Sequence, residues 1–326
     1  MMKYRCFLIK LTMVLCSLIN YVASDAPNFV SGFGLTVISS TQLSSQLYEV
    51  VVSSENIRDN QTIRILIPAD YSTSGPSRRY PVLYLLHGAG GGSKDWTTFG
   101  SAQNTTRNVS LITVMPNGDP YGFYTNWVLP GEVAPQRWRS YHMEQLVPWI
   151  DLNLRTVAER EGRAIAGLSM GGYGAIHYAE FYPEYFISAS SFSGVLDLMD
   201  ARIQDVVFIM PGPTKPLIGP FGYPSTDPAG SNAWYAENTI IRAEKLRNMS
   251  LALYTGNVGF TEHYLRFGAY NLWSTLVSSK IPVHFDDYGS GKSIGPGCNG
   301  SHSWPCWNEA FIDVLPRIMA VLKQQY

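Results

Sequence analysis

Charge is scarce in this sequence. Of its 326 residues, 15% are Asp, Glu, Lys or Arg, and the net charge at pH 7 is -1. A balance so close to zero gives no ground for nucleic acid or an anionic membrane as the main partner, since both favour basic patches. Cysteine is scarce too. Four occur, and Cys6 and Cys16 fall within the first 24 residues, which leaves Cys298 and Cys306. Structural zinc wants four ligands, and no second Cys/His cluster lies near this pair, so no metal is expected. No stretch reaches the ~20 continuous apolar residues of a membrane span. There is no internal repeat, no coiled coil and no long low-complexity tract.

The N-terminus has the marks of a signal peptide. Lys3, Arg5 and Lys10 precede an apolar centre at 11–19, and Val22-Ala23-Ser24 supplies small residues for cleavage. We expect residues 1–24 to be removed and 28–326 to form one catalytic domain. The uncharged stretch 11–24 is too short for an anchor. In an oxidising compartment Cys298 and Cys306 are a disulfide candidate, the alternative being two free thiols. Their loop encloses His302. Five Asn-x-Ser/Thr sequons, at Asn60, Asn104, Asn108, Asn248 and Asn299, fit a secretory route and are candidate glycosylation sites.

Apolar runs at 48–54, 62–68, 80–88, 111–116, 163–168, 186–194, 251–256 and 282–288 read as strands. Several are apolar on both faces, as in parallel sheets covered by helices. Helical spacing marks 140–155, with Pro148 placed to bend it, and helices are expected after Gly171, over 262–279 and over 307–322. Residues 197–232 dissolve into Pro, Gly and Ser and read as a long excursion over the sheet. Strands alternating with helices predict an α/β fold with a mostly parallel central sheet and helices on both faces.

The chemistry centres on Gly167-Leu168-Ser169-Met170-Gly171, a G-x-S-x-G pentapeptide between a strand and a helix. That context marks a nucleophile elbow, with Ser169 lifted onto a tight turn where flanking glycines let backbone pass close. A serine nucleophile needs a base, and the base an orienting acid. The order Ser, then acid, then His is expected in such a fold. Of the later histidines, His284 lies in a strand and His263 at a helix start. His302 lies in the loop before the last helix, where the base belongs. The order rule favours Glu262 as acid over Asp286 and Asp287, with Asp227 further away in the excursion. Expected oxyanion donors are the N–H groups of Met170 and of Ala89, the latter in the loop His87-Gly88-Ala89-Gly90-Gly91-Gly92. That glycine run lacks the Lys-Ser/Thr of a phosphate cradle, and Gly291-Lys292-Ser293 lacks the upstream glycine, so both read as loops.

The pieces YLLHGAGG (84–91), VMPNGD (114–119), FYTNW (123–127), GLSMGGYGA (167–175), STDP (225–228), LYTGN (253–257) leading to Glu262, and GSHSW (300–304) run in order along the chain. Together they resemble the esterase D group of α/β hydrolases, and within it the mycobacterial mycolyltransferases. The resemblance implies an α/β-hydrolase fold with nucleophile Ser169, acid Glu262, base His302 and oxyanion donors Ala89 and Met170. It departs from the mycolyltransferases at His87 and in the glycine run after it, where it follows the ordinary esterases of the group. The expected activity is hydrolysis of carboxylic esters by a secreted serine hydrolase through an acyl-enzyme. Its substrate would be a small-molecule, glycan or lipid ester, and no cofactor is needed. The alternatives are acyl transfer to a sugar or lipid hydroxyl, and a catalytically silent binding module on the same fold.

Overall fold

The computed structural model describes residues 26–212, 216–225 and 232–325. The expected signal peptide at 1–24, part of the STDP piece and Asp227 lie outside these. Nine strands of the described residues form one sheet in the order β1-β2-β3-β5-β4-β6-β7-β8-β9. β1 (Leu35–Gln42), β2 (Leu47–Ser54) and β3 (Ile57–Leu66) run antiparallel at one edge, and β3 joins β5 (Ile112–Pro116) antiparallel. From β5 onward the sheet is parallel. It runs through β4 (Val82–Leu86), β6 (Arg163–Leu168), β7 (Ser188–Phe192), β8 (Ser250–Gly256) and β9 (His284–Gly289).

Because strand side chains alternate, each central strand feeds two cores. Val82, Tyr84 and Leu86 of β4 join Ile165 of β6 in one core; Leu83 and Leu85 join Ala164, Ala166 and Leu168 in the other. The first core lies under the helical run 138–153, α5 (Met170–Phe181) and α8 (Phe260–Ser278). The second lies under α1 (Asp95–Thr98), α2 (Ala102–Thr106) and α9 (Trp304–Val321). This two-sided burial explains the unbroken apolar runs in the sequence.

Four expectations are corrected. β1 was not foreseen: it is an edge strand that buries only Leu35 fully, so it has no apolar run to display. The helix over 138–153 is not one regular α-helix. α3 (Trp138–Ser140) passes into a π-helical segment, Tyr141–Leu146, and then α4 (Val147–Asn153), with Pro148 in the first turn of α4. The excursion contains a genuine helix, α6 (Ala201–Ile209), started by the Asp200 carboxylate accepting the Arg202 N–H at 2.9 Å, and a short α7 (Ala233–Ala236) follows it. α9 begins three residues earlier than expected, because Pro305 suits a first turn. Among the described residues no helix is long and apolar enough to cross a membrane.

Candidate active site

β6 ends at Leu168 and α5 begins at Met170, so Ser169 alone makes the turn between them. Its backbone sits at φ 54°, ψ -119°, a left-handed conformation that side chains disfavour. Neighbours hold it there: its N–H donates to Phe192 O at 2.8 Å, and its carbonyl accepts from Tyr173 N at 3.1 Å. The glycines are required by close approach. A Cβ on Gly167 would stand 2.3 Å from Gly171 O, and one on Gly171 would stand 2.4 Å from His87 O. A Cβ on Gly88 would lie 3.3 Å from Ser169 Cβ, so the loop after β4 rests directly against the candidate nucleophile.

His302 sits in the loop between β9 and α9, its ring edge-on to Trp307 at 4.9 Å. Its Nε2 lies 2.9 Å from Ser169 Oγ and its Nδ1 lies 2.8 Å from Glu262 Oε2. A carboxylate accepts only, so Nδ1 carries the proton and Nε2 is free to accept from the hydroxyl. Glu262 lies in the first turn of α8 and is completely buried. Its Oε1 accepts from Ser193 Oγ (2.7 Å), Gly256 N (2.7 Å) and Thr255 Oγ1 (3.3 Å). Burial pushes its carboxyl upward, but the bonds from His302, Gly256 and Ser193 outweigh that and hold it below the usual range. The group therefore stays an anion where an imidazolium would need one.

The loop bearing His302 is tied down at several points. Cys298 and Cys306 form a disulfide across it. Gly300 O accepts from Val258 N at 2.9 Å, which joins the loop to the segment following β8. Of the other described acid candidates, Asp287 pairs with Arg266 and with Tyr270 Oη (2.7 Å) on α8, and Asp286 is its neighbour on β9. His284 faces Asp313 at 3.8 Å, and His263 is exposed on α8. Sequence reasoning missed Ser193. It follows β7 at φ 48° and is fully buried, with Trp307 Nε1 3.3 Å from its hydroxyl as well. A Ser-Gly pair closing a strand, as Ser190-Ser191-Phe192-Ser193-Gly194 does, was the available signal.

In the loop after β4, the N–H groups of the last three glycines are engaged. Gly90 donates to Pro120 O (2.7 Å), Gly91 to Gly88 O (3.3 Å) and Gly92 to Asp95 Oδ2 (3.1 Å). Among the described residues, neither the Ala89 N–H nor the Met170 N–H meets an acceptor. Ala89 lines a cleft of about 450 Å³ walled also by Gly88, Asp95, Leu168, His302 and Trp304. A groove of about 420 Å³ between α2 and α9 has no titratable side chain on its walls and lies away from Ser169. No group of three or more His, Cys, Asp or Glu among the described residues is arranged to hold a metal ion.

The Esterase family model matches residues 54–318. Esterase Rv1288 of Mycobacterium tuberculosis is 38% identical over 235 residues, 69% of this chain and 49% of that protein. This chain thus spans about half the length of that relative. Diacylglycerol acyltransferase/mycolyltransferase Ag85A of Mycobacterium leprae is 28% identical over 265 residues, covering 74% of this chain and 76% of that one. Among solved structures, Mycobacterium tuberculosis MPT51 superposes with a TM-score of 0.69 at 20% identity, over 84% of this chain and 97% of that one. At that identity the likeness is one of fold, and the fold is that of the α/β hydrolases.

Proposed function

This chain belongs to the Esterase family, and on that premise we propose that it is a serine hydrolase of carboxylic esters with Ser169 as nucleophile, His302 as base and Glu262 as acid. The observation that carries the reading is the unbroken contact from Ser169 Oγ to His302 (2.9 Å) and on to Glu262 (2.8 Å). Ser169 Oγ attacks the ester carbonyl while its proton passes to His302 Nε2. The tetrahedral oxyanion forms at the N-terminus of α5 and takes the N–H groups of Ala89 and Met170. His302 returns the proton to the leaving oxygen, the ester C–O bond breaks, and the alcohol departs from an acyl-enzyme. Water then attacks with His302 again accepting the proton, the bond between Ser169 Oγ and the acyl carbon breaks as His302 returns that proton to Oγ, and the carboxylic acid is released.

Acyl transfer is the second reading. It is supported by the similarity to Ag85A and by the open cleft beside His302, which has room for an acceptor alcohol in place of water. We further propose that residues 28–326 form the single catalytic domain of a secreted protein whose signal peptide ends near Asp25. All five sequon asparagines, Asn60, Asn104, Asn108, Asn248 and Asn299, are exposed, which supports glycan attachment. The substrate would be a small-molecule, glycan or lipid ester. The test is labelling with a fluorophosphonate. One adduct on Ser169, absent from Ser169→Ala, supports the reading; no adduct on folded protein refutes it. Adding an alcohol to an ester turnover then separates the two outcomes: an ester product means transfer, and free acid alone means hydrolysis.

A further inference from the structure

Two buried histidines outside the triad lie in line with the oxyanion loop. His142, in the π-helical segment, and His87, at the end of β4, are both almost completely enclosed. His142 Nε2 stands 2.9 Å from Asn117 O, and since a carbonyl only accepts, Nε2 carries the proton. Burial depresses the basicity of His142, with an Asn117 bond working against it, to a pKa of about 3; the ring is neutral and its Nδ1 is an acceptor. The donor to Nδ1 is then Tyr178 Oη, at 2.8 Å, a shorter contact than the 3.3 Å from the same hydroxyl to Trp138 O. Tyr178 belongs to α5, the helix that Ser169 begins.

The next link is a peptide plane. A trans peptide points its C=O and N–H in opposite directions. The plane between Asn117 and Gly118 accepts from His142 on one side, and on the other the Gly118 N–H donates to His87 Nε2 at 2.8 Å. With Nε2 accepting, His87 carries its proton on Nδ1, which donates to Gly88 O at 2.8 Å. The plane between Gly88 and Ala89 is also trans, so its N–H points away from His87. Among the described residues that N–H has no acceptor, while the three N–H groups that follow it are engaged.

We propose that Tyr178, His142 and His87, with the two peptide planes between and after the histidines, form a one-directional hydrogen-bond relay that orients and polarises the Ala89 N–H toward the reacting carbonyl. Every donor in the relay points the same way, and bonds in such chains strengthen one another. His87, His142 and Tyr178 are positioning residues; none touches the substrate. The inference rests on the serine-esterase reading above. Removing one oxyanion donor costs about 10²–10³ in kcat, and neighbours in a chain alter a bond by about 10–30%. Tyr178→Phe, which keeps the ring and deletes only the hydroxyl, should therefore lower kcat about 2- to 8-fold, with little change in KM. His142→Leu, which also releases the 117–118 plane, should lower it more than about tenfold. His142→Gln, able to donate to Asn117 and accept from Tyr178, should restore most of that loss.

The experiment measures kcat and KM for these variants on an activated cinnamoyl ester, together with the infrared stretch of an isotope-labelled carbonyl in the trapped acyl-enzyme. A weaker oxyanion hydrogen bond raises that frequency, which a loss of folding does not do. Higher frequency and lower kcat in Tyr178→Phe and His142→Leu, with reversal in His142→Gln, support the relay. Wild-type frequency in both, or in Tyr178→Phe alone should His142→Leu not fold, overturns it while leaving the esterase reading intact. No acyl-enzyme on wild-type protein overturns that reading and the relay with it.

Discussion

Glu262 has no solvent contact, yet it keeps its charge because four donors converge on its two oxygens. Its amide would still fill the space but could present an N–H to His302 and leave the imidazole in the wrong tautomer. Glu262→Gln should therefore lower kcat by roughly 10³–10⁴ with KM nearly unchanged, the size of loss seen when a triad acid is made an amide. Steady-state kinetics on an activated ester would show it, and a loss under tenfold would remove Glu262 from the role. Ser193→Ala deletes one of the four donors and leaves the others, so a smaller loss in kcat, about tenfold, is expected. Ser169, His302 and Glu262 can be picked out in the sequence because chain order restricts the candidates, and the structure brings the three into contact. Ser193 cannot, since it meets Glu262 from 69 residues away. His142 was hidden for the same reason: its partners lie at 117 and 178, and no local spacing announces them.

At the scale of elements, two short connections bear most of the site: the single-residue turn from β6 to α5 and the tied loop before α9. The disulfide closes a ring of eight peptide links around His302. For a loop this short, chain entropy assigns the cross-link about 2–3 kcal/mol. Cys298→Ser with Cys306→Ser should cost about that much in chemical denaturation, and should also lower kcat, because the base loses part of its tether. Unchanged kcat with lowered stability would mean that Gly300 and the packing on Trp307 suffice to hold His302. Element identity was largely readable, since β4, β5, β6 and β8 each bury all or nearly all of their residues and show as mainly apolar runs. β1 and α6 were not, because one is mostly exposed and the other sits among Pro, Gly and Ser, which dilute its periodicity.

The whole molecule adds a pH dependence that originates away from the cleft. Glu237 is pushed up by burial, but the His177 ring N–H (3.2 Å) and Arg139 (2.8 Å) outweigh this and hold its pKa at about 2, below the usual 4.5. A depressed carboxyl pKa stabilises the fold fully above pH 4.5, and that contribution is lost as pH falls from 4.5 toward about 2. Its size is about 3 kcal/mol at neutral pH. Glu237→Gln should lower neutral stability by up to that amount and flatten the acid limb between those pH values, as urea titrations at several pH values would record. An acid limb with wild-type slope would assign the effect to other carboxylates.

The turn at Ser169 also sets a bargain between durability and reactivity. A left-handed backbone at a residue with a side chain costs about 1–3 kcal/mol, and Ser169 sits at φ 54°. Glycine there would relieve the cost, whereas alanine would keep it. Ser169→Gly should be inert but harder to denature than Ser169→Ala, by about 1 kcal/mol. The difference between the two variants would then measure how much stability this chain forgoes to hold the hydroxyl of the proposed nucleophile in place.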